Sequence, residues 1–305
     1  MKRILITGAA SYIGTSVERY LLECNVKQGK EQYHVDRMSL RDGTWEKADF
    51  SQYDIVYHVA GIAHVDTGKV TEEEKQKYFD VNRDLTIRVA KKAKDQGVRQ
   101  FIFMSSIIVY GAIAYVGHQK YIREDTAVCP ENFYGDSKRQ AEIRLQELAD
   151  ASFHVAILRP PMIYGRGAKG NYALLTRFAG SIPVFPDYKE ERSALYVENL
   201  AEFVRLLAES GRGGIFFPQN REYAATSQMV SLIREAAGKR TIISRMLNPL
   251  VKLGALMPGK IGIMVNKAFG SVLIDRALSD KDFSGYQIYS LRESILKSQK
   301  QDTKI

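Results

Sequence analysis

Lys2-Arg3-Ile4-Leu5-Ile6-Thr7-Gly8-Ala9-Ala10-Ser11-Tyr12-Ile13-Gly14 decides how the chain is read. Lys2 to Ile6 has the composition of a short buried strand, and the spacing of Ile13, Val17 and Leu21 predicts a helix over Tyr12 to Cys24. A glycine-containing turn joins the two. At such a junction, free backbone amides and the positive end of a helix can receive a pyrophosphate.

The same rhythm continues outward. Gln32 to Asp36 can form a second strand, and Asp54 to Ala60 a stronger one ending at Gly61. A long helix is signalled from Thr71, with that threonine as N-cap, glutamates in the first turn, lysines in the last and Gly97 just beyond. Phe101 to Met104 returns to strand, Phe133 to Ala149 is helical and His154 to Leu158 is again strand. This alternation predicts a Rossmann-type, doubly wound α/β fold with a parallel sheet covered on both faces.

After Pro160-Pro161 the rhythm breaks into Gly- and Pro-rich stretches, before a strand and helix near Ala194 to Ser210 and a strand at Ile215 to Phe217. The expected organisation is a dinucleotide-binding domain over 1–164, with 190–217 rejoining its sheet. Residues 165–189 and 218–305 then form a smaller C-terminal substrate-binding lobe. No internal repeat stands out.

The 305 residues are 45% hydrophobic, ample for a sizeable core. The net charge is +9, yet the basic residues are dispersed and sit near acids, which argues against nucleic acid as a partner and leaves a positive field for anionic ligands. No segment approaches 18 uninterrupted apolar residues, so membrane insertion is not expected. The apolar, basic stretch from Met246 to Ile274 could touch a membrane surface, but its prolines and glycines fit substrate-lobe helices better. Cys24 and Cys129 give neither a disulfide framework nor a metal spacing, and with no signal-peptide core this suits a cytoplasmic location. The histidines, His58 and His64 among them, show no metal-ligand spacing; no metal is expected.

Tyr134-Gly135-Asp136-Ser137-Lys138 carries the chemistry. On a helix, residues four apart share a face, which predicts the Lys138 ammonium beside the Tyr134 phenol. At about 4 Å and an effective dielectric near 20, such a pair gains roughly 4 kcal/mol, about three pK units. That would bring a tyrosine toward neutrality, where it serves as acid and base.

The chain resembles the extended short-chain dehydrogenase/reductase family, the nucleotide-sugar epimerases, dehydratases and reductases, whose fingerprint is Thr-Gly-x-x-Gly-x-x-Gly. Gly8 and Gly14 match the outer glycines and Ser11 replaces the middle one. His58-Val59-Ala60-Gly61, Asn82, Ser105-Ser106-Ile107-Ile108-Val109-Tyr110-Gly111, Tyr134 with Lys138, and Arg159-Pro160-Pro161 follow in the family's order, covering at least 1–217.

The resemblance implies catalytic roles for Ser106, Tyr134 and Lys138, with Ser105 as the competing serine. It implies cofactor contacts from Gly8, Ser11, Tyr12, Ile13, Gly14, Ala60, Gly61, Asn82, Tyr134, Lys138 and Pro161, and an adenine contact from Asp42. Asp36 could bond the adenosine ribose and favour NAD, whereas Arg37 could receive a 2′-phosphate and favour NADP. Asn171, Tyr172 and Arg192 are implied on the UDP- or dTDP-linked sugar, and Arg276 is a candidate for a second phosphate contact. Ile107 and Ile108 stand where the family's dehydratases commonly carry an acid pair, which disfavours dehydration.

Three functions stay open at this point: a 4-epimerase acting by hydride transfer at sugar C4, a 4-keto-sugar nucleotide reductase, and a non-catalytic dinucleotide sensor. Homodimerisation through the helices near Thr71 and Phe133 is a family-based expectation.

Overall fold

The computed structural model describes residues 1–63, 71–111 and 114–300; His64 lies outside them. The first half runs β1 (Lys2–Thr7), α1 (Tyr12–Gln28), β2 (Tyr33–Met38), β3 (Ile55–His58), α2 (Glu72–Phe79), α3 (Thr86–Asp95), β4 (Gln100–Met104), β5 (Gln119–Ile122), α4 (Phe133–Leu148) and β6 (His154–Leu158). There follow β7 (Met162–Tyr164), α5 (Asn171–Ser181), β8 (Val184–Pro186), β9 (Ala194–Tyr196), α6 (Val197–Ser210) and β10 (Gly214–Phe216). The remainder comprises α7 (Thr226–Ala236), β11 (Ile242–Ser244), α8 (Asn248–Leu256), α9 (Lys260–Phe269), β12 (Ser271–Ile274) and two further helices, Arg276–Asp280 and Leu291–Gln299.

Six strands form a parallel sheet in the order β10-β6-β4-β3-β1-β2. Its apolar strands need cover on both faces, and they have it. Ile4 and Ile6 of β1 pack with Val17 and Leu21 of α1 and Leu200, Val204 and Leu207 of α6. Leu5 points the other way, into a core with Val89 and Ala93 of α3 and Ala141 and Leu145 of α4. Each such aliphatic side chain withdrawn from water contributes about 1.5–3 kcal/mol.

The chain steps from β1 outward to β2, then returns to β3 on the opposite side of β1. This reversal opens a crevice at the carboxyl ends of β1 and β3, where open α/β sheets take ligands. No strand pairs outside β2 among the described residues, and the chain reaches β3 through a short 3₁₀ turn, Thr44–Glu46, pinned by the buried Trp45.

The helix expected from Thr71 carries the full capping box, with Thr71 and Glu74 bonding reciprocally. It is not one continuous α-helix. A π-helical turn, Asp80–Leu85, separates α2 from α3 and contains Asn82.

Outside the sheet, β7 pairs with β9, β5 with β12 and β8 with β11. Tyr164, Tyr172, Met229, Ile233, Leu291 and Ile295 share a separate core there. Among the described residues no helix is long and apolar enough to cross a membrane.

Candidate active site

The turn after β1 is a cradle built by close backbone approach. Gly8 has φ 102°, and a Cβ there would lie 2.9 Å from the Ala60 amide nitrogen, so the ends of β1 and β3 meet only with glycine at this position. Ser11 occupies the middle-glycine position and accepts a 3.0 Å bond from the Gly14 amide, capping α1. Tyr12, Ile13 and Gly14 begin that helix, and the Tyr12 hydroxyl is buried without a hydrogen-bond partner in the described structure. An open helix N-terminus beside an orphaned buried hydroxyl fits a dinucleotide diphosphate.

Ala60 and Gly61 flank this cradle, and Asn82 holds the segment in place. Its carboxamide accepts from the Ile62 amide at 2.8 Å and donates to the Ile62 carbonyl and Ser137 Oγ, both at 3.0 Å. Asn82 is thus spent on the protein. The cofactor contact implied for it is corrected to a positioning role, made possible by the π turn that presents it.

The two candidate serines face different ways. Ser105 Oγ donates to Glu142 Oε1 at 2.6 Å in a buried cluster, where Arg159 grips both Glu142 oxygens at 3.0 and 2.6 Å and donates to the Tyr110 hydroxyl at 2.6 Å. Among the described residues, Ser106 Oγ accepts only from the Ile108 amide, at 3.2 Å, as N-cap of a 3₁₀ turn over Ile107–Tyr110. The first turn of α4 leans on that same turn: a Cβ on Gly135 would come within 2.8 Å of the Ile108 carbonyl oxygen. Ser106 and Tyr134 therefore flank one tight contact. Pro160, beside the buried Pro161, accepts from the Ile107 amide at 3.1 Å and closes the third side.

The Tyr134 hydroxyl makes no hydrogen bond to any described residue. Burial, and secondarily the neighbouring Tyr78, push its phenol up to about 12. The ammonium of Lys138 does not sit against it. It donates to the Met104 carbonyl at 2.8 Å, lies 4.6 Å from the Phe103 ring centre, and would meet a Cβ on Gly61 at 3.2 Å. The expected lowering of Tyr134 is thus corrected: a backbone acceptor at the end of β4 draws the ammonium to the crevice floor. Burial brings Lys138 itself down to about 8, against the opposing charge of Glu142. His58 is a satisfied interior residue, bonded to Thr7 and Thr86 at 2.8 and 2.9 Å and held near 3 by burial and then by the Lys138 charge.

Several other expectations give way. Successive strand residues point to opposite faces, so Asp36 and Arg37 part company. Asp36 is claimed by the Tyr53 hydroxyl at 2.9 Å and by His34, whereas Arg37 reaches the Ala9 carbonyl at 2.7 Å and Glu18 at 2.8 Å, over the cradle. Asp42 is exposed and closes its own turn on Thr44. Asn171 is exposed at the start of α5, but Tyr172 is buried against Tyr164, with its hydroxyl bonded to Gln299. Arg192 caps the end of α9 through the carbonyls of Lys267, Ala268 and Gly270 and pairs with buried Glu190, so its fork is not free for phosphate. Arg276 lies over the Tyr223 ring.

A parallel sheet with a switch-point crevice, an anion cradle and a Ser-Tyr-Lys set at its floor define a dinucleotide-dependent oxidoreductase class. The NAD dependent epimerase/dehydratase family matches residues 4–216, and the chain belongs to that family. It is 30% identical over 256 residues to UDP-glucose 4-epimerase of Vibrio cholerae, covering 79% of this chain and 77% of that protein. It is 26% identical over 306 residues to N-acetyl-alpha-D-glucosaminyl-diphospho-ditrans,octacis-undecaprenol 4-epimerase of Escherichia coli O157:H7, covering 94% and 88%. The solved UDP-glucuronic acid 4-epimerase of Bacillus cereus in complex with NAD has the same fold, with TM-score 0.69 at 19% identity over 97% of this chain and 95% of that one. The chain is an NAD-dependent enzyme of the nucleotide-sugar epimerase, dehydratase and reductase family.

Proposed function

We propose that this enzyme is a UDP-sugar 4-epimerase-like catalyst acting at sugar C4. The reading rests on one observation: the Tyr134 hydroxyl is unclaimed beside Ser106, while Ser105 is consumed by Glu142. NAD, when bound, supplies a nicotinamide ring that takes up and returns hydride.

The chain's own residues do the rest. Gly8, Ser11, Tyr12, Ile13 and Gly14 seat the diphosphate, and Ala60, Gly61 and Pro161 line the crevice. Ser106 holds the C4 oxygen, and Tyr134 passes a proton to or from it. The free phenol is protonated, the form that gives a proton to a 4-keto oxygen. For the opposite step, the Lys138 ammonium would have to leave the Met104 carbonyl and turn toward Tyr134 to favour phenolate. Asn171 stands ready for the nucleotide diphosphate, and 165–189 with 218–305 serve as the substrate lobe.

A second reading, a 4-keto-sugar nucleotide reductase using NADPH, draws on Arg37, whose guanidinium lies over the cradle and would exchange its Glu18 partner for a 2′-phosphate.

Denaturing purified enzyme, identifying the nucleotide it releases, and supplying fresh enzyme with UDP- and dTDP-sugars tests both. Retained NAD with interconversion of two sugars supports the epimerase. Stoichiometric oxidation of NADPH by a 4-keto sugar supports the reductase. Bound dinucleotide with no turnover overturns both and leaves a sensor.

The groove of about 870 Å³ between α3 and α4, lined by Ile87, Arg88, Gln140 and Ile143, lies apart from the catalytic residues, and a second copy of the chain is its proposed occupant. A monomer mass by light scattering at micromolar concentration would remove that assignment.

A further inference from the structure

The helical hairpin α8–α9 is apolar on the wrong side for a core. Its inner side is fixed: Phe269 stacks on Phe185, Asn266 bonds the Ala255 and Gly262 carbonyls, and Gly254 lets Val265 pack closely. Its outer side carries Leu250, Leu253 and Leu256, three residues apart, with Ile261 and Met264 on the neighbouring helix and Met246 just before them. Leu253 is 63% exposed, Leu256 83% and Met246 88%. Scattered surface leucines need no explanation, but a contiguous row on a well-anchored hairpin marks an interaction face.

Charge says what meets it. From Ala236 to Ile274 the chain carries six basic residues, Lys239, Arg240, Arg245, Lys252, Lys260 and Lys267, and no Asp or Glu. All six are exposed. Arg245 pairs with Asp187, whereas Lys252, Lys260 and Lys267 make no ion pair among the described residues. A second copy docking here about a two-fold axis would set lysine rows against each other with no acid in the segment to answer them. An anionic lipid surface answers both features, since apolar side chains enter the acyl boundary while lysines meet phosphate.

We propose that the α8–α9 hairpin seats this enzyme peripherally on anionic phospholipid bilayers. Asn266 also accepts from the Val116 amide at 2.8 Å, which ties the hairpin to the chain ten residues beyond Ser106. Docking therefore holds the catalytic half of the molecule at the lipid surface.

Flotation of the full chain with vesicles tests this, comparing phosphatidylcholine alone with vesicles containing about 30 mol% phosphatidylglycerol. The protein is expected to float with the anionic vesicles only, and to be released at about 1 M salt, where screening acts within about 3 Å. Leu253→Asp with Leu256→Asp, and separately Lys252→Glu with Lys260→Glu, are each expected to reduce bound protein at least about tenfold at unchanged melting temperature. Lys252→Ala with Lys260→Ala, a milder change, is expected to lose part of the binding and guards against misfolding of the others. Failure to float, equal flotation with both vesicle types, equal binding by all variants, or a dimer that Leu253→Asp dissociates in a protein that ignores vesicles would each overturn the proposal.

Discussion

Ser105 and Glu142 share a 2.6 Å hydrogen bond in the interior, and this bond fixes Ser106 as the hydroxyl left at the crevice. Alanine at the two positions should separate cleanly. Ser106→Ala is expected to lower kcat by about 10²–10³, the usual loss when one donor to a developing charge is removed, with the melting temperature unchanged. Ser105→Ala is expected to cost about 1–3 kcal/mol of stability by leaving a Glu142 oxygen short of a partner, while retaining most activity below the melting transition. Steady-state kinetics and chemical denaturation on the two variants read both quantities.

Tyr134→Phe removes the proton donor and leaves the ring. Turnover is expected to fall at least about 10²-fold, while the dissociation constant for NAD by calorimetry stays within a few-fold. Unchanged turnover would take the acid–base role away from this residue.

Lys138 gives a pH signature. Its folded-state value, about 8, lies below the ordinary 10.5 because burial disfavours the charge. Between those values the unfolded chain keeps a proton that the folded chain has released, so this group makes stability rise with pH across the window. Below about 8 the fold bears the whole cost, about 3 kcal/mol by the 1.36 kcal/mol conversion. The stability of Lys138→Met relative to the parent is therefore expected to be most favourable below pH 8 and to decline toward pH 10.5. Urea unfolding on both sides of the window measures it; a pH-independent difference would show that burial does not lower the folded-state value of the lysine.

Arg37 reports on cofactor choice. Arg37→Gln is expected to weaken NADP binding at least about tenfold and to leave NAD binding nearly unchanged, because only the former carries a 2′-phosphate for the guanidinium. Competitive titration of the two nucleotides distinguishes this from a general loss of the cradle.

Much of the fold was readable from the chain because its strands are buried on both faces and its helices are punctuated. His154–Leu158 is the strand expected and Thr71 does cap a helix, whereas of the segment expected to rejoin the sheet only β10 pairs there, the strand at Ala194 pairing with β7 outside it. The π turn was hidden, since a wide turn leaves the apolar spacing almost intact and only the bonds of Asn82 betray it. Within the site, motif order singled out Gly8, which meets Ala60, and Gly61, which meets the Lys138 ammonium, at the ends of β1 and β3. It failed where partners far along the chain decide a side chain's fate. Arg192 finds carbonyls at the end of α9, Tyr172 finds Tyr164 and Gln299, and Lys138 finds Met104. The Glu142–Arg159 pair that selects between the serines was missed altogether. Its one sequence signal was a glutamate placed four residues beyond Lys138 on the same helix face.

The early reversal of the sheet leaves β2 as a margin, with no strand pairing along its outer side among the described residues. Such a margin is a template onto which a foreign strand can add, and His34, Asp36 and Arg37 interrupt it with charge and polarity. Apolar β-branched replacements at those three positions are therefore expected to open this edge to strand addition and polymerisation.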